Sequence, residues 1–232
     1  MSTCLLTFRP VRFKAVRFVL LLALSIYLRG NGFSQGTFVN LDFEHPITPL
    51  MPVNGYVWIT NAMPEWAAYS YGGGGYATAV GYNDLSLGAA YISLHGPGSL
   101  EPVIQGSYSV YLQGSSGGAP SSAAVGQVGQ IPLGTQSLLF WGYVGLDQVT
   151  FNSQILPLTV TATTPNYNVY GADVSAFAGH SGELLFTSPP GFFEILDNIQ
   201  FSTSPIPEPS TYAFFALGSF LLRTFSRRVG RR

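Results

Sequence analysis

The chain has 232 residues, of which 47% are hydrophobic and only 9% charged, and its formal net charge is -1. The charges are segregated: every Lys and Arg lies in positions 9–29 or 223–232, and all eleven acids lie between those two clusters. A body without a single cation cannot neutralise phosphates, which excludes nucleic-acid binding and argues against phosphate-handling chemistry. Cys4, the one cysteine, leaves that body without a disulfide, a thiol nucleophile or a thiolate metal site.

Residues 1–34 read as a signal peptide. Four cations precede the apolar run "FVLLLALSIYL" (Phe18 to Leu28), and "GNGFSQ" then supplies small residues suited to cleavage after Ser34. Eleven helical residues span roughly 16 Å, too little for a bilayer interior of about 30 Å. The competing reading is an uncleaved anchor, and either one carries the body out of the cytoplasm.

Residues 35–202 read as one all-β domain. Gly and Pro recur every few residues and punctuate short β-branched and aromatic runs, with no sustained helical period. Strands are predicted at 37–44, 56–60, 89–95, 107–113, 123–131, 136–144, 148–152, 158–163, 167–173, 183–188 and 194–202. So many short strands predict a two-sheet antiparallel β-sandwich of jelly-roll type. In the first of them Val39, Leu41 and Phe43 alternate with Asn40, Asp42 and Glu44, which predicts an apolar and a polar face. In the last, Asp197 is in phase with Ile195, Ile199 and Phe201, so its carboxyl is predicted to point inward and to need a partner. With no Lys or Arg available, that partner is a backbone amide, a hydroxyl, a histidine or a metal.

Several chemistries can be weighed. His45, His95 and His180 share no zinc spacing, and no G-x-S-x-G elbow is present. Glu65, Asp84, Glu101, Asp147, Glu183 and Glu194 could in principle pair as glycosidase carboxylates, yet nothing in their spacing singles out two. Trp58, Trp66, Tyr69, Tyr71 and Tyr76 cluster beside a glycine loop, and Trp66 with Tyr69 or Tyr71 is the candidate set for stacking on sugar rings. The same residues could equally form core and cross-strand aromatic pairs.

"NLDFE" (Asn40 to Glu44) and "LDNIQFS" (Leu196 to Ser202) resemble the opening and closing strands of galactose-binding-like jelly rolls and of several carbohydrate-binding modules. The resemblance covers about residues 39–202. It implies a structural calcium ion at the matching carboxylates, Glu44 and Asp197, with Asp42 and Asn40 nearby. The alternative is plain hydrogen bonding at the strand ends.

Residues 203–210 read as a proline-rich linker, 211–222 as a short apolar membrane helix with its cap at Ser210 or Thr211, and 223–232 as an arginine-rich cytoplasmic tail. The order of Pro207-Glu208-Pro209, then Ser210 and Thr211, then the apolar helix, then Arg223, Arg227 and Arg228 resembles the PEP-CTERM sorting signal of Gram-negative bacteria. That resemblance implies an exosortase as partner, transient tethering in the inner membrane, cleavage near the motif, and delivery to the cell envelope or the extracellular matrix. The resulting expectation is a non-catalytic surface or matrix protein that meets extracellular polysaccharide. A secreted carbohydrate-binding module is the first alternative, and a polysaccharide-acting hydrolase the second.

Overall fold

The computed structural model describes residues 33–34, 36–70, 75–86, 88–143 and 148–206. The predicted signal peptide, the PEP motif, the apolar helix and the arginine tail lie outside the described residues, as do Tyr71 and Asp147.

Two β-sheets make up the body, as predicted. The strands in chain order are β1 (Phe33–Ser34), β2 (Gly55–Trp58), β3 (Ala67–Ser70), β4 (Gly75–Ala77), β5 (Ala79–Tyr82), β6 (Tyr91–His95), β7 (Ser109–Gln113) and β8 (Ala123–Gln130). They continue with β9 (Ser137–Tyr143), β10 (Gln148–Phe151), β11 (Gln154–Ile155), β12 (Thr159–Thr163), β13 (Asn168–Asp173), β14 (Ser181–Ser188) and β15 (Phe193–Ser202). The larger sheet runs β12-β13-β9-β15-β7-β6-β5-β2, with β1 also paired to β15, and the smaller runs β11-β10-β14-β8-β3-β4. A single helical turn, α1 (Ile59–Ala62), links β2 to β3.

Alternation decides which side of each strand is buried. From the larger sheet Val57, Ile92, Leu94, Val110, Leu112, Leu138, Phe140 and Leu196 point inward to a common core, and Ala68, Val125, Val149, Phe151, Leu184 and Phe186 meet them from the smaller sheet. Aromatic edges lock the two layers, with Phe140 T-shaped against Phe186 at 5.3 Å.

One pairing departs from the antiparallel expectation: β5 runs parallel to β6, with Gly81 opposite Ser93 and Tyr82 opposite Leu94. Parallel neighbours need a return crossover. The link between β5 and β6 supplies it, and the Gln113 side-chain amide on the outward face of the larger sheet donates to the carbonyls of Ser86 and Ala89.

The segment predicted as the first strand is not one. Asn40 and Phe43 have left-handed φ of 50° and 57°, and each such residue breaks the two-residue period on which the face assignment rested. Phe38, Leu41 and Phe43 are consequently buried, together with Asn40, whereas Val39 is exposed. The segment is tied to β8 by a side chain instead of a ladder. The Gln127 amide accepts from the Val39 N–H and donates to the Val39 carbonyl, at 2.7 and 3.0 Å.

Candidate functional site

Asp197 is fully buried, but not on the inward face predicted for it. β15 carries an irregularity between Asp197 and Gln200 in its pairing with β9, and Asn198 has φ of 48°. This β-bulge changes the phase of the strand. Leu196, Ile199 and Phe201 join the core, while Ile195 and Asp197 are buried on the other face. At Asp197 that face is covered by the chain itself, through the loop at 104–108.

The loop before β7 is held by two carboxylates. Glu44 Oε1 accepts the N–H groups of Ser107 and Tyr108 at 2.7 and 3.0 Å. Asp197 Oδ2 accepts from the Gln105 N–H at 2.9 Å and the Ser109 hydroxyl at 2.7 Å, and Oδ1 accepts from the Asn198 N–H. Ser109 Oγ in turn accepts the Ile104 N–H. Burial pushes the Asp197 carboxyl up to about 7, against the pull of the Ser109, Gln105 and Asn198 donors, and the nearby Glu44 charge adds to the rise.

The two carboxylates assigned to calcium by resemblance therefore do come together. Their surroundings fit a hydrogen-bonded clamp. Calcium takes six to eight oxygens, whereas five N–H and O–H donors point at these carboxylate oxygens. Among the described residues no group of three or more His, Cys, Asp or Glu side chains could hold a metal ion. Asp42 is spent on the Glu44 N–H and Asn40 Oδ1 on the His45 N–H. The clamp accounts for both carboxylates without a cation.

Of the aromatic residues assigned to sugar stacking, Tyr71 lies outside the described residues, and Trp66 and Tyr69 are not brought together. Trp66 is only 4% exposed. Its indole packs between Phe43 (5.0 Å) and Phe186 (6.5 Å), and Nε1–H donates to the Asn40 carbonyl at 3.0 Å. Its flat face is spent on the core, which removes it as a ligand platform. Tyr69 is on the outward face of the smaller sheet, edge-on to Tyr76, with its hydroxyl on Glu183 Oε1 at 2.8 Å.

A different aromatic array occupies the outward face of the larger sheet. Register aligns Tyr56 (β2), Gly81 (β5), Ser93 (β6), Tyr111 (β7), Ile195 (β15) and Tyr143 (β9) in one row across six strands. At about 4.8 Å per strand the row extends roughly 24 Å. A neighbouring row carries Tyr91, Gln113 and Phe193. Trp58 follows Tyr56 on β2, and the two rings are 63% and 72% exposed; Phe193 and Tyr143 are about 40% exposed.

Gly81 makes this array possible. A Cβ there would stand 2.7 Å from Cε1 and Oη of Tyr91 and 2.9 Å from Ser93 Oγ, so the Tyr91 ring lies in the space that a side chain would fill. That ring meets Tyr56 edge-on at 6.0 Å, and its hydroxyl donates to Asp84 Oδ2 at 3.2 Å. Asp84 Oδ1 accepts the Leu85 N–H, which fixes the carboxylate. The Tyr91 phenol is held un-ionised, by burial first and then by the Asp84 charge.

Beneath these rings His95, Tyr111 and Phe193 stack in series, at 5.1 and 5.8 Å. Tyr111 Oη donates to Gln113 Oε1. Burial lowers the pKa of His95 to about 4, so its imidazole is neutral near pH 7. Among the described residues the Ser93 hydroxyl is buried without a hydrogen-bond partner, whereas the buried His95 ring is within hydrogen-bond reach of the Asp84 backbone. At the far end Trp141 stacks on Tyr167 at 4.7 Å.

Of the candidate acids, Glu194 is fully buried on the inward side, opposite Leu112 of the core. Glu183 belongs to the smaller sheet, while Asp84 belongs to the aromatic face. A depression of about 220 Å³ lined by Ser115, Ser116, Pro120, Pro190 and Gly191 lies at the loop end of β7 and β15 and contains no titratable group. The signal that could have found the outward face was the alternation of "YVW" and "YISLH", together with the glycine at position 81. The register that unites them is non-local.

Fold and site together define a two-sheet β-sandwich with an aromatic, acid-edged outer face. No protein-family model and no curated protein matches the chain. Among solved structures it is similar to an apo-form cyclase from Fischerella sp., at 15% identity and a TM-score of 0.47 over 77% of this chain and 98% of that one. It is also similar to a Stig cyclase from Fischerella sp. TAU in complex with (3Z)-3-(1-methyl-2-pyrrolidinylidene)-3H-indole, at 14% identity and a TM-score of 0.45, over 76% of this chain and 100% of that one. A third match is a Fischerella sp. TAU cyclase in complex with 4-(1H-indol-3-yl)butan-2-one, at 15% identity and a TM-score of 0.41, over 74% of this chain and 98% of that one. These proteins are enzymes, and the expectation that the chain is a non-catalytic surface component is corrected on that finding and not retained. Likeness at this level assigns neither their reaction nor their ligands to this chain.

Proposed function

We propose that the domain is exported and holds an extracellular polysaccharide on the outward face of its larger sheet. The observation that carries the reading is the aromatic array of Tyr56, Trp58, Tyr91, Phe193 and Tyr143 on one sheet face. Aromatic faces offer large, rigid apolar area at low entropic cost, and rings spread over several strands suit a chain of sugar units better than one small molecule. Asp84 and Gln113, held in place by their own hydrogen bonds, offer polar contacts between the rings. Holding a polysaccharide is common to binding modules and enzymes, and the reading does not require an inert chain.

Delivery rests on the ends of the sequence. The cation-rich apolar segment at 1–34 and the PEP-CTERM-like order of Pro207, Glu208, Pro209, the apolar run and Arg223 support export, brief anchoring in the inner membrane and release by an exosortase. In this reading the body is a jelly roll outside the membrane.

Affinity electrophoresis of the full chain through a panel of immobilised polysaccharides tests the binding. Retardation by at least one polymer, reduced about tenfold or more in Trp58→Ala and Tyr56→Ala proteins that melt normally, is expected. Equal migration in every gel would refute it. Intact mass of the protein from its native host tests the delivery: new ends near Gln35 and near 207–210 are expected, and retention of the arginine tail on exported protein would refute it.

A further inference from the structure

We infer that the outward face of the larger sheet selects a polysaccharide carrying free amino groups over neutral and acidic ones. The inference rests on the polysaccharide-binding reading and adds the charge class of the ligand.

The first ground is electrostatic. Between Gly30 and Leu222 there is no Lys or Arg, so nothing on this face can pair with a uronate or a sulfate. Carboxylates are present instead. Asp84 is half-buried at the rim of the Tyr56–Tyr91 pair, and its two hydrogen bonds hold it there. Glu101, also half-buried, stands close enough to Tyr111 for its charge to act on that phenol. An acidic polymer laid over these groups would set like charges against each other across desolvated rings. An ammonium group would meet the reverse: a carboxylate at the rim and aromatic faces beside it, an arrangement that attracts cations.

The second ground is independent of charge. Ser93 and His95 are fully buried on the same side of β6, His95 stacked on Tyr111, and the Ser93 hydroxyl has no hydrogen-bond partner among the described residues. Buried polar groups left unpaired are uncommon. Here the Ser93 hydroxyl lies on the side of β6 that carries the proposed ligand face, where a buried water bridging towards the ligand would satisfy it. A neutral His95 also removes the one cation that this face could have carried against an ammonium ligand.

The third ground is shape. The exposed rings begin on β2 and recur on β15 and β9, across a row of roughly 24 Å. Repeated contact along an extended chain fits that distribution, whereas a single small amine would use only one end of it.

The experiment uses the full chain and three oligomers of equal length: a β-1,4-glucosamine oligomer, its fully N-acetylated counterpart and a galacturonate oligomer. Kd is measured by calorimetry at about pH 6 in low and high salt. The free-amine oligomer is expected to bind roughly tenfold tighter than the acetylated one, equivalent to about 1.4 kcal/mol. That preference should shrink as salt rises, and the galacturonate should show no binding. Asp84→Asn keeps the shape of the side chain and should bring the two glucosamine forms close to parity; Glu101→Gln provides a second removal of charge should the first variant fold poorly. Equal wild-type affinity for the amine and acetylated forms overturns the charge selection and leaves the polysaccharide reading standing, as does a preference that survives both substitutions. Tighter binding of the galacturonate also overturns it. Binding of none of the three, with no other polymer retained in the gels, removes both readings together.

Discussion

Replacing Trp66 separates a core role from a binding role. Its indole is 4% exposed, packed against Phe43 and Phe186 and hydrogen-bonded to the Asn40 carbonyl. Truncation to Ala removes a whole bicyclic ring from a close-packed interior, and such changes cost about 3–5 kcal/mol. The lost Nε1–H bond belongs to the same total, because the Asn40 carbonyl still accepts the Phe43 N–H. For a domain of this length about 1 kcal/mol moves the midpoint by roughly 2–4 °C, so Trp66→Ala should melt roughly 6–20 °C below the parent. Trp66→Phe keeps one ring in place and forfeits the hydrogen bond, at about 1–2 kcal/mol. Circular-dichroism melts of the three proteins, with polysaccharide affinity measured well below each midpoint, read both quantities. The expected pattern is a graded loss of stability with ligand affinity unchanged. A Trp66→Ala protein that melts like the parent but has lost its affinity would refute the core assignment and restore Trp66 to a ligand face.

Three further outcomes follow from the site. Glu44→Ala leaves the Ser107 and Tyr108 N–H groups without their acceptor, so hydrogen exchange at these two amides should accelerate by at least tenfold; unchanged protection would show that the loop does not depend on the clamp. Gly81→Val places methyl groups where the Tyr91 ring lies; the ring must swing away from Asp84, and ligand affinity should fall severalfold with the melt nearly intact, whereas full affinity would show that the ring's position is unimportant. The pH dependence has two opposed parts. Asp197 stays protonated in the fold up to about 7 but ionises near 3.8 when unfolded, so its contribution to stability falls as pH rises across that window. His95 is neutral in the fold above about 4 but takes a proton below about 6.5 when unfolded, so its contribution rises with pH over nearly the same range. The parent should therefore show a flattened profile between pH 4 and 6.5, Asp197→Asn a midpoint that climbs with pH, and His95→Gln one that declines. Identical profiles in all three proteins would refute both assignments.

Much of the architecture was legible in the sequence because it depends on local signals. Glycine and proline punctuation with β-branched runs located most strands and predicted two sheets. The segment at 37–44 failed for an equally local reason that alternation does not reveal: Asn40 and Phe43 take left-handed backbone conformations. Asp197 was placed in the interior from its phase with Ile199 and Phe201, but the bulge at Asn198 puts it on the opposite face from them. Its burial comes from a loop ninety residues away in sequence. Trp66 and Tyr69 are near neighbours in the chain, and the break between α1 and β3 sends one ring inward and the other outward. The aromatic face could not be assembled beforehand, because it needs the pairing of β2 with β5 and the parallel register of β5 on β6.

The position of β15 in the larger sheet bears on the order in which the domain can form. It is the last described strand, yet it stands in the middle of that sheet, between β9 and β7. Until it arrives those two strands have no partner on the facing side, so the sheet exists as two halves with open hydrogen-bonding edges. Such edges invite pairing with other chains, and contacts this distant in sequence close slowly. Synthesis from the N-terminus therefore holds the domain in an unfinished, adhesive condition until residues 193–202 have emerged. Phe193, Ile195 and Asp197 reach the outer face in that final insertion, so assembly of that face and completion of folding coincide.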